Sequence, residues 1–387
     1  MHIAQRISRL GTETSFVVLQ KARELEAQGK DIVHLEIGEP DFDTAPNIIA
    51  AAKEALDNGF THYGPAPGLP EARRVIAEVE GRRRGLEFTA NEVVISPGAK
   101  PIMFYAIMAA VDPGDEVIYP NPGFPIYESC IELAGGVAVP LQLKEEKEFR
   151  FDIEDLRKLV SPKTRMIIIN SPQNPTGGIL TMDDLKAIAE IAVKNDIMVL
   201  SDEIYGRVVY DGFVNHSIAT LPGMRERTII LDGFSKTYAM TGWRLGFGIM
   251  PTDFAAVCAK LQTNVPSCAT TFVQIAGMEA LTGPQDWVDE VVKEFKRRRD
   301  YIVDALNSIP GFKCHKPLGA FYVFPNITGT GLDSRTIADK ILYEANVACL
   351  SGTSFGAYGE NYIRFSYANS IENIEKAMGR IRTLFGA

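Results

Sequence analysis

Residues 229–246 read IILDGFSKTYAMTGWRLG and carry the pattern that decides the fold. A short apolar run ends shortly before Lys236, and α/β sheets bind their ligands at the carboxyl ends of such buried strands. Small residues around the lysine let a flat ligand approach the backbone, and Arg244 follows within reach of a phosphate. Burial would keep the Lys236 amine neutral and nucleophilic. The alternative is a surface loop with an ordinary lysine and arginine.

Six similar runs occur elsewhere in the chain. Short, continuous apolar runs separated by helical stretches are typical of strands buried on both faces of a sheet. Their alternation with helices predicts an α/β fold, with a mostly parallel seven-stranded sheet between helices. The seven predicted strands are residues 93–95, 117–119, 137–141, 166–169, 197–200, 229–231 and 245–250.

The pattern changes after about residue 273. A long charged helical region is followed by short strands and two helices, which predicts a smaller α+β domain. We expect the N-terminal helix, residues 13–29, to pack with it. The expected division is a large domain at residues 46–285 and a discontinuous small domain at residues 1–45 and 286–387. The predicted elements of its second part are strands at 312–315, 320–324 and 361–366 and helices at 334–344 and 371–385.

Composition and charge exclude several classes of function. The 387 residues are 46% hydrophobic and 23% charged, as in soluble globular proteins, and the net charge is −9. An acidic surface repels nucleic-acid phosphates and anionic membranes, so we expect neither as a partner. Five cysteines without a CxxC pair indicate free thiols in a reducing compartment, with no metal site. The absence of a signal peptide or a long apolar segment predicts a cytoplasmic protein.

Three polar residues stand in or just after predicted strands. Asp202 ends one, where a carboxylate needs a cationic partner such as a pyridinium N–H, although a helix N-cap is an equal alternative. Asn174 lies in NSPQNPTG (170–177), whose prolines and glycine predict a rigid loop rather than a plain turn. Arg364 interrupts an apolar strand and needs a carboxylate, either from a substrate or from the protein.

Two weaker signals also follow strands. Gly98-Ala99-Lys100 stands before a helix and could offer backbone N–H groups to a phosphate, although many such turns look alike. Phe124 opens another predicted helix and could stack on a flat ring or simply belong to the core.

Together these segments resemble the class I aminotransferases of pyridoxal-phosphate fold type I, in the prokaryotic aspartate-aminotransferase-like branch. The resemblance covers nearly the whole chain, from Gly38-Glu39-Pro40-Asp41-Phe42 to Arg364, with the family's order and approximate spacing. It implies a homodimeric enzyme that uses pyridoxal 5′-phosphate and moves an amino group from an L-amino acid to a 2-oxo acid, with 2-oxoglutarate expected, by a ping-pong mechanism. Another reaction on the same scaffold, such as carbon–sulfur β-lysis or decarboxylation, is the alternative.

The resemblance also implies a role for each matched residue. Lys236 is expected to form the Schiff base and to move the proton, and Asp202 to pair with the pyridine nitrogen. Asn174 and Tyr205 are expected to donate to the cofactor's phenolic oxygen, and Phe124 to stack on its ring. The catalytic set is Lys236, Asp202 and Tyr205. The expected phosphate-binding residues are Gly98, Ala99, Lys100, Ser235, Arg244 and, from the neighbouring subunit, Tyr63. The expected substrate-carboxylate residues are Gly38, Asn174 and Arg364.

Two positions depart from the family pattern. Gly233 stands where many relatives have a phosphate-binding serine, and Ser235 is the expected substitute. Met108 is the nearest match to a lysine that helps hold the distal carboxylate in aspartate-specific relatives. We therefore expect a partly apolar side-chain pocket, and an enzyme that accepts apolar or aromatic amino acids at least as well as aspartate. The residues expected near that pocket are Phe16, Val17 and Ile37.

Overall fold

The computed structural model describes residues 2–11 and 13–386, in which strands and helices alternate. The strands are β1 (Val33–His34), β2 (Val93–Ser96), β3 (Glu116–Asn121), β4 (Val137–Lys144), β5 (Arg150–Phe151), β6 (Thr164–Asn170), β7 (Met198–Asp202), β8 (Thr228–Gly233), β9 (Gly246–Ile249), β10 (Tyr322–Val323), β11 (Val347–Ala348), β12 (Leu350–Ser351) and β13 (Ile363–Ser366). The helices are α1 (Thr14–Ala27), α2 (Pro46–Asp57), α3 (Pro70–Arg84), α4 (Lys100–Ala110), α5 (Ile126–Ala134), α6 (Ile153–Leu159), α7 (Met182–Asn195), α8 (Thr252–Asn264), α9 (Thr271–Thr282), α10 (Asp286–Asn307), α11 (Ser334–Ala345) and α12 (Ile371–Leu384). Within the described ranges, no helix combines the length and apolar character needed to cross a bilayer.

The main sheet has the strand order β2-β9-β8-β7-β6-β3-β4-β5. The pairs from β8 to β4 are parallel, whereas β9 is antiparallel to both β2 and β8. The mostly parallel sheet and all seven predicted strands are therefore confirmed. The described residues add an eighth strand, β5, which has two residues and pairs antiparallel with β4. Two residues are too short to produce a periodic pattern, so the sequence did not reveal it.

The central strands of the sheet are largely apolar because helices cover both faces of the sheet. Successive residues of a strand point to opposite faces. In β6, Met166 and Ile168 pack in a core with α4, α5 and α8, whereas Ile167 and Ile169 pack in a core with α7. A third core joins α2, α3 and α9 to the β2, β9 and β8 side.

The second part of the chain forms a smaller unit that includes the N-terminal segment. Its sheet has the antiparallel order β10-β13-β12, and β1 pairs in parallel with β11. Ala22 and Leu25 of α1 pack against Leu342 of α11. We propose that the domain division predicted from the sequence describes these two units. The predicted strand at 312–315 is wrong, because Lys313 forms only an isolated bridge with Asn326 there.

A buried cluster of charges holds α3 to the ends of β7 and β8. The side chain of Arg84, the last residue of α3, is 4% exposed, and its Nη2 lies 2.7 Å from Glu203 Oε2 and 3.4 Å from Asp232 Oδ2. Glu80 also pairs with Arg84, and Arg83 Nη2 lies 2.7 Å from Asp232 Oδ2. Glu203 follows β7 directly and Asp232 lies in β8. The cluster therefore fixes the two strand ends relative to each other and to α3.

This cluster yields a stability prediction. Arg84→Met should lower the free energy of unfolding by about 3–5 kcal/mol, because it leaves the buried Glu203 carboxylate without its cation, while Arg83 still faces Glu80 and Asp232. Arg74→Met on the same helix is the matched control. Arg74 pairs with Glu71 and Glu78 but is half exposed, so its loss should cost less than about 1 kcal/mol. Urea unfolding of the cofactor-free protein measures both, and equal effects would contradict the prediction.

Candidate active site

A cavity of about 500 Å³ opens at the carboxyl ends of β6, β7 and β8. Its walls gather residues that lie far apart in the sequence. Of the predicted site residues, the lining contains Gly38, Ala99, Lys100, Phe124, Asn174, Asp202, Tyr205, Ser235, Lys236, Arg244 and Arg364. Gly98 lies just behind the lining, next to Arg244. Tyr63 is not part of the cavity and is 91% exposed.

Lys236 follows β8 and points into the cavity. Its Nζ donates a hydrogen bond to the Gly38 carbonyl oxygen, 2.6 Å away. Desolvation lowers the pKa of the Lys236 amine to about 8, although the Glu39 and Glu13 carboxylates oppose that shift. More of the amine is therefore neutral near neutral pH than for an ordinary lysine, which favours a nucleophilic role.

Asp202 ends β7 and faces the same cavity. The Tyr127 hydroxyl donates to Asp202 Oδ2 at 2.5 Å, and the Ile204 N–H donates to Oδ1 at 3.2 Å. Burial raises the pKa of Asp202 to about 6, and these hydrogen bonds only partly offset the rise. Turns rather than a helix follow Asp202, so the N-cap alternative is wrong. A buried carboxylate without a cation beside it suits a protonated ring nitrogen.

Tyr127 was not among the residues predicted from the sequence. It lies on α5, three residues after Phe124, and the two rings meet edge to face with centroids 5.6 Å apart. The available signal was this spacing, because residues three apart near the start of a helix share a face. Phe124 itself lies before α5, in the cavity wall, rather than opening the helix.

Arg364 is a buried cation without a carboxylate partner. It is 4% exposed and, within residues 2–11 and 13–386, forms no ion pair. Its Nη1 donates to Asn174 Oδ1 at 3.3 Å, its Nη2 donates to the Glu36 carbonyl oxygen, and its Nε has no partner. The internal ion pair considered for Arg364 is therefore wrong. A buried guanidinium with unused donors fits the carboxylate of a ligand.

Glycines bring a positive group close to the backbone at the other end of the cavity. A Cβ atom on Gly98 would lie 2.2 Å from Arg244 Nη2, and one on Gly246 would lie 2.4 Å from the Ala99 nitrogen. The turn at 98–100 and the start of β9 can therefore approach this closely only because Gly98 and Gly246 have no side chains. A Cβ on Gly233 would lie 3.0 Å from Gly246 Cα, so a serine at this position would require a small shift of β9.

Lys100 and Glu13 form an ion pair in the wall of the cavity. The Lys100 Nζ lies 5.3 Å from the centre of the Phe124 ring. Met108 is 41% exposed and does not line the cavity, so its predicted place beside the substrate is wrong. It stands eight residues into α4 from Lys100, or about 12 Å along the helix. Phe16 and Ile37 line the cavity as expected, whereas Val17 does not.

These groups fit pyridoxal phosphate. One cavity contains a group for each part of this cofactor. Lys236 offers an amine for the aldehyde, and Asp202 offers a carboxylate for the ring nitrogen. Arg244, beside glycine backbone, offers a guanidinium for the phosphate.

Comparisons with known proteins agree with this assignment. The family described as aminotransferase class I and II matches residues 30–381. An aspartate aminotransferase of Pyrococcus abyssi is 45% identical, over 94% of each chain. An aromatic-amino-acid aminotransferase 2 of Thermococcus litoralis is 44% identical, over 92% of each chain. The solved structure of an aspartate aminotransferase from Thermus thermophilus with maleate is 35% identical, with a TM-score of 0.95 over 99% of this chain and 100% of that one. The chain therefore belongs to the class I and II aminotransferases and is a pyridoxal-phosphate-dependent enzyme of fold type I.

Proposed function

We propose that this enzyme transfers the amino group of an L-amino acid to 2-oxoglutarate by a ping-pong mechanism. The observation that carries the proposal is Arg364, a buried guanidinium that pairs with no carboxylate among the described residues and lies in the cavity that holds Lys236. Both proposed substrates are carboxylates, and both must place the carbon next to that group near the lysine. The similarity to aspartate and aromatic-amino-acid aminotransferases supports this class of substrates.

Each cavity residue then has a defined task. Arg364 holds the α-carboxylate with Asn174 and thereby orients the substrate Cα–H bond. Lys236, with its lowered pKa, removes the proton from that carbon. The bound cofactor supplies an electron sink for the carbanion that develops there. Asp202 stays close to the ring nitrogen as a buried carboxylate and favours its protonated form.

The remaining predicted residues bind and orient the cofactor. Asn174 and Tyr205 would donate to its phenolic oxygen, and Phe124 would stack on its ring. Arg244, Ser235 and the turn at 98–100 would hold the phosphate, because close backbone approach and a guanidinium coincide there.

We also propose that the enzyme is a cytoplasmic homodimer. All five cysteines are free, and four of them are buried, as suits a reducing compartment. Tyr63 contributes to the phosphate site of the neighbouring subunit, which accounts for a large aromatic side chain that is 91% exposed in the single chain.

The reaction is tested by measuring glutamate formation from an L-amino acid and 2-oxoglutarate. Amino transfer predicts one glutamate for each 2-oxo acid released from the donor. Release of ammonia and pyruvate, or of carbon dioxide, without glutamate would show a lyase or a decarboxylase instead.

Lys236→Ala should still bind pyridoxal phosphate, through Arg244 and Asp202, but should not hold it covalently. Amino transfer should fall by about 10³-fold or more, because both the covalent attachment and the proton acceptor are lost. Borohydride reduction followed by mass spectrometry measures attachment, and Lys260→Ala, on the exposed side of α8, is the control. Near-normal turnover in Lys236→Ala would contradict the assignment.

The assembly prediction concerns Tyr63. Tyr63→Phe should weaken cofactor binding by about 10- to 100-fold, since one hydrogen bond to a charged group contributes about 1.5–3 kcal/mol. Equilibrium dialysis measures the affinity, and light scattering measures the mass. A fully active wild-type monomer would contradict the shared site.

The third prediction concerns the amino donor. Because Lys100 is paired with Glu13, a distal carboxylate should gain little from it. We expect kcat/KM for aspartate to stay within about a hundredfold of the values for alanine and phenylalanine, or roughly 3 kcal/mol. Glu13→Gln should raise the ratio of the aspartate value to the alanine value, because its effect on the Lys236 pKa is common to both donors whereas the freed Lys100 charge favours only aspartate. A much stronger wild-type preference for aspartate would show that a dedicated cation acts on its side chain.

A further inference from the structure

Tyr322 lies at the junction of two parts of the site and has no assigned role so far. It is in β10, where it pairs with Ser366 of β13, and its side chain is buried in the cavity wall. Its hydroxyl lies 2.7 Å from the Tyr205 hydroxyl. Its ring centre lies 4.5 Å from the Arg364 guanidinium carbon. One side chain thus touches both the proposed cofactor donor and the proposed carboxylate clamp.

We propose that Tyr322 is a positioning residue that donates its hydroxyl proton to Tyr205, directs the Tyr205 proton into the cavity, and couples this hydrogen bond to the charge of Arg364. The proposal rests on the roles given above to Tyr205 and Arg364. It adds a residue that touches neither the reacting carbon nor the proton that is moved, and that acts through its two neighbours.

The number of protons that the two hydroxyls can donate supports donation from Tyr322 to Tyr205. A phenol has one proton to donate and lone pairs to accept. In the absence of a ligand, either hydroxyl of the Tyr205–Tyr322 pair can be the donor. An acceptor oxygen in the cavity takes the Tyr205 proton, and Tyr205 can then only accept from Tyr322. Because hydrogen bonds in a chain polarise one another, the Tyr322 bond strengthens the donation by Tyr205.

Arg364 supplies the coupling. Its guanidinium is held between the rings of Tyr322 and Phe355, with the Phe355 ring centre 5.0 Å away. Burial raises the pKa of Tyr322, and the nearby Arg364 charge acts in the opposite direction, which makes Tyr322 the better donor. A bound carboxylate would neutralise that charge and weaken the donation. Occupancy at the carboxylate clamp therefore changes the hydrogen bond at Tyr205.

Gly38 fixes the position of the Tyr322 hydroxyl. A Cβ atom at residue 38 would lie 1.9 Å from the Tyr322 oxygen, so the hydroxyl occupies the space that a side chain would need. The Gly38 carbonyl oxygen in turn accepts from Lys236 Nζ. The glycine is required here by close approach rather than by its backbone angles. The fit leaves the Tyr322 hydroxyl directed at Tyr205.

Two substitutions in the cofactor-loaded enzyme separate the two contacts. Tyr322→Phe removes the hydroxyl and keeps the ring over Arg364, whereas Tyr322→Leu removes both. One measurement is the pH midpoint of the visible absorbance of the bound cofactor. The other is the dissociation constant of glutarate, a carboxylate with neither an amino nor an oxo group. The charged groups that line the cavity are unchanged in both variants; they are Glu13, Glu39, Lys100, Asp202, Lys236, Arg244 and Arg364.

Tyr322→Phe should raise the midpoint by about half a pH unit, because weaker donation to an anionic oxygen disfavours the deprotonated form. Its glutarate affinity should stay within about twofold of wild type. Tyr322→Leu should raise the midpoint similarly and also weaken glutarate binding by about fivefold, since Arg364 loses a stacking partner. A side chain with only a structural role would not shift the midpoint in both variants while weakening glutarate binding in Tyr322→Leu alone.

A double variant tests whether Tyr322 acts through Tyr205. Tyr205→Phe should shift the midpoint at least as far as Tyr322→Phe, and adding Tyr322→Phe to it should cause no further shift. Additive shifts, or an unshifted midpoint in Tyr322→Phe beside a shifted one in Tyr205→Phe, would overturn the proposal. An unshifted midpoint in Tyr205→Phe would overturn it together with the role of Tyr205. Glutamate formation by the wild-type enzyme would still decide the proposed reaction separately.

Discussion

Desolvation at the carboxyl end of the central sheet is the constraint on which the rest of the site depends. The same loss of water lowers the pKa of Lys236 and raises that of Asp202. It also makes the unpaired Arg364 costly, because a buried guanidinium lacks the hydration that it has in water. Each of these groups is poorly satisfied by the protein alone and well satisfied by a ligand of opposite character. The preference of the cavity for its ligands therefore follows from charged groups that the protein itself pairs incompletely.

The strands and the main site residues could be predicted because their signals are local. Apolar runs between helices identify the seven predicted strands, and Lys236 and Asp202 stand where such runs end. Arg364 was recognisable as a charge inside an apolar strand, but the absence of a partner became clear only in three dimensions. The short β5 and the false strand at 312–315 mark the limit of periodicity in segments of a few residues.

Glu13 and Tyr322 could not be found in this way, because contacts with distant residues define their places in the site. Glu13 and Lys100 are 87 positions apart, and Tyr205 and Tyr322 are 117 apart. No local pattern distinguishes Tyr322 from an ordinary core tyrosine of β10. Met108 was wrongly placed near the substrate because matching by sequence position ignores how far each helical turn moves a residue along the helix axis. Of the residues matched by family likeness, Lys236, Asp202 and Arg364 line the cavity, whereas Met108 does not.

The buried charges around Arg84 have a consequence for how this sequence can change over time. Arg84 contacts Glu80, Glu203 and Asp232 at once, so replacement of any one member leaves the others mismatched. Substitutions at these positions should therefore be strongly epistatic: a change acceptable in one background would be harmful in another. Neutral substitution at these positions therefore requires paired replacements or an earlier gain of stability elsewhere in the protein. Libraries for directed evolution would do well to vary these positions jointly or leave them fixed.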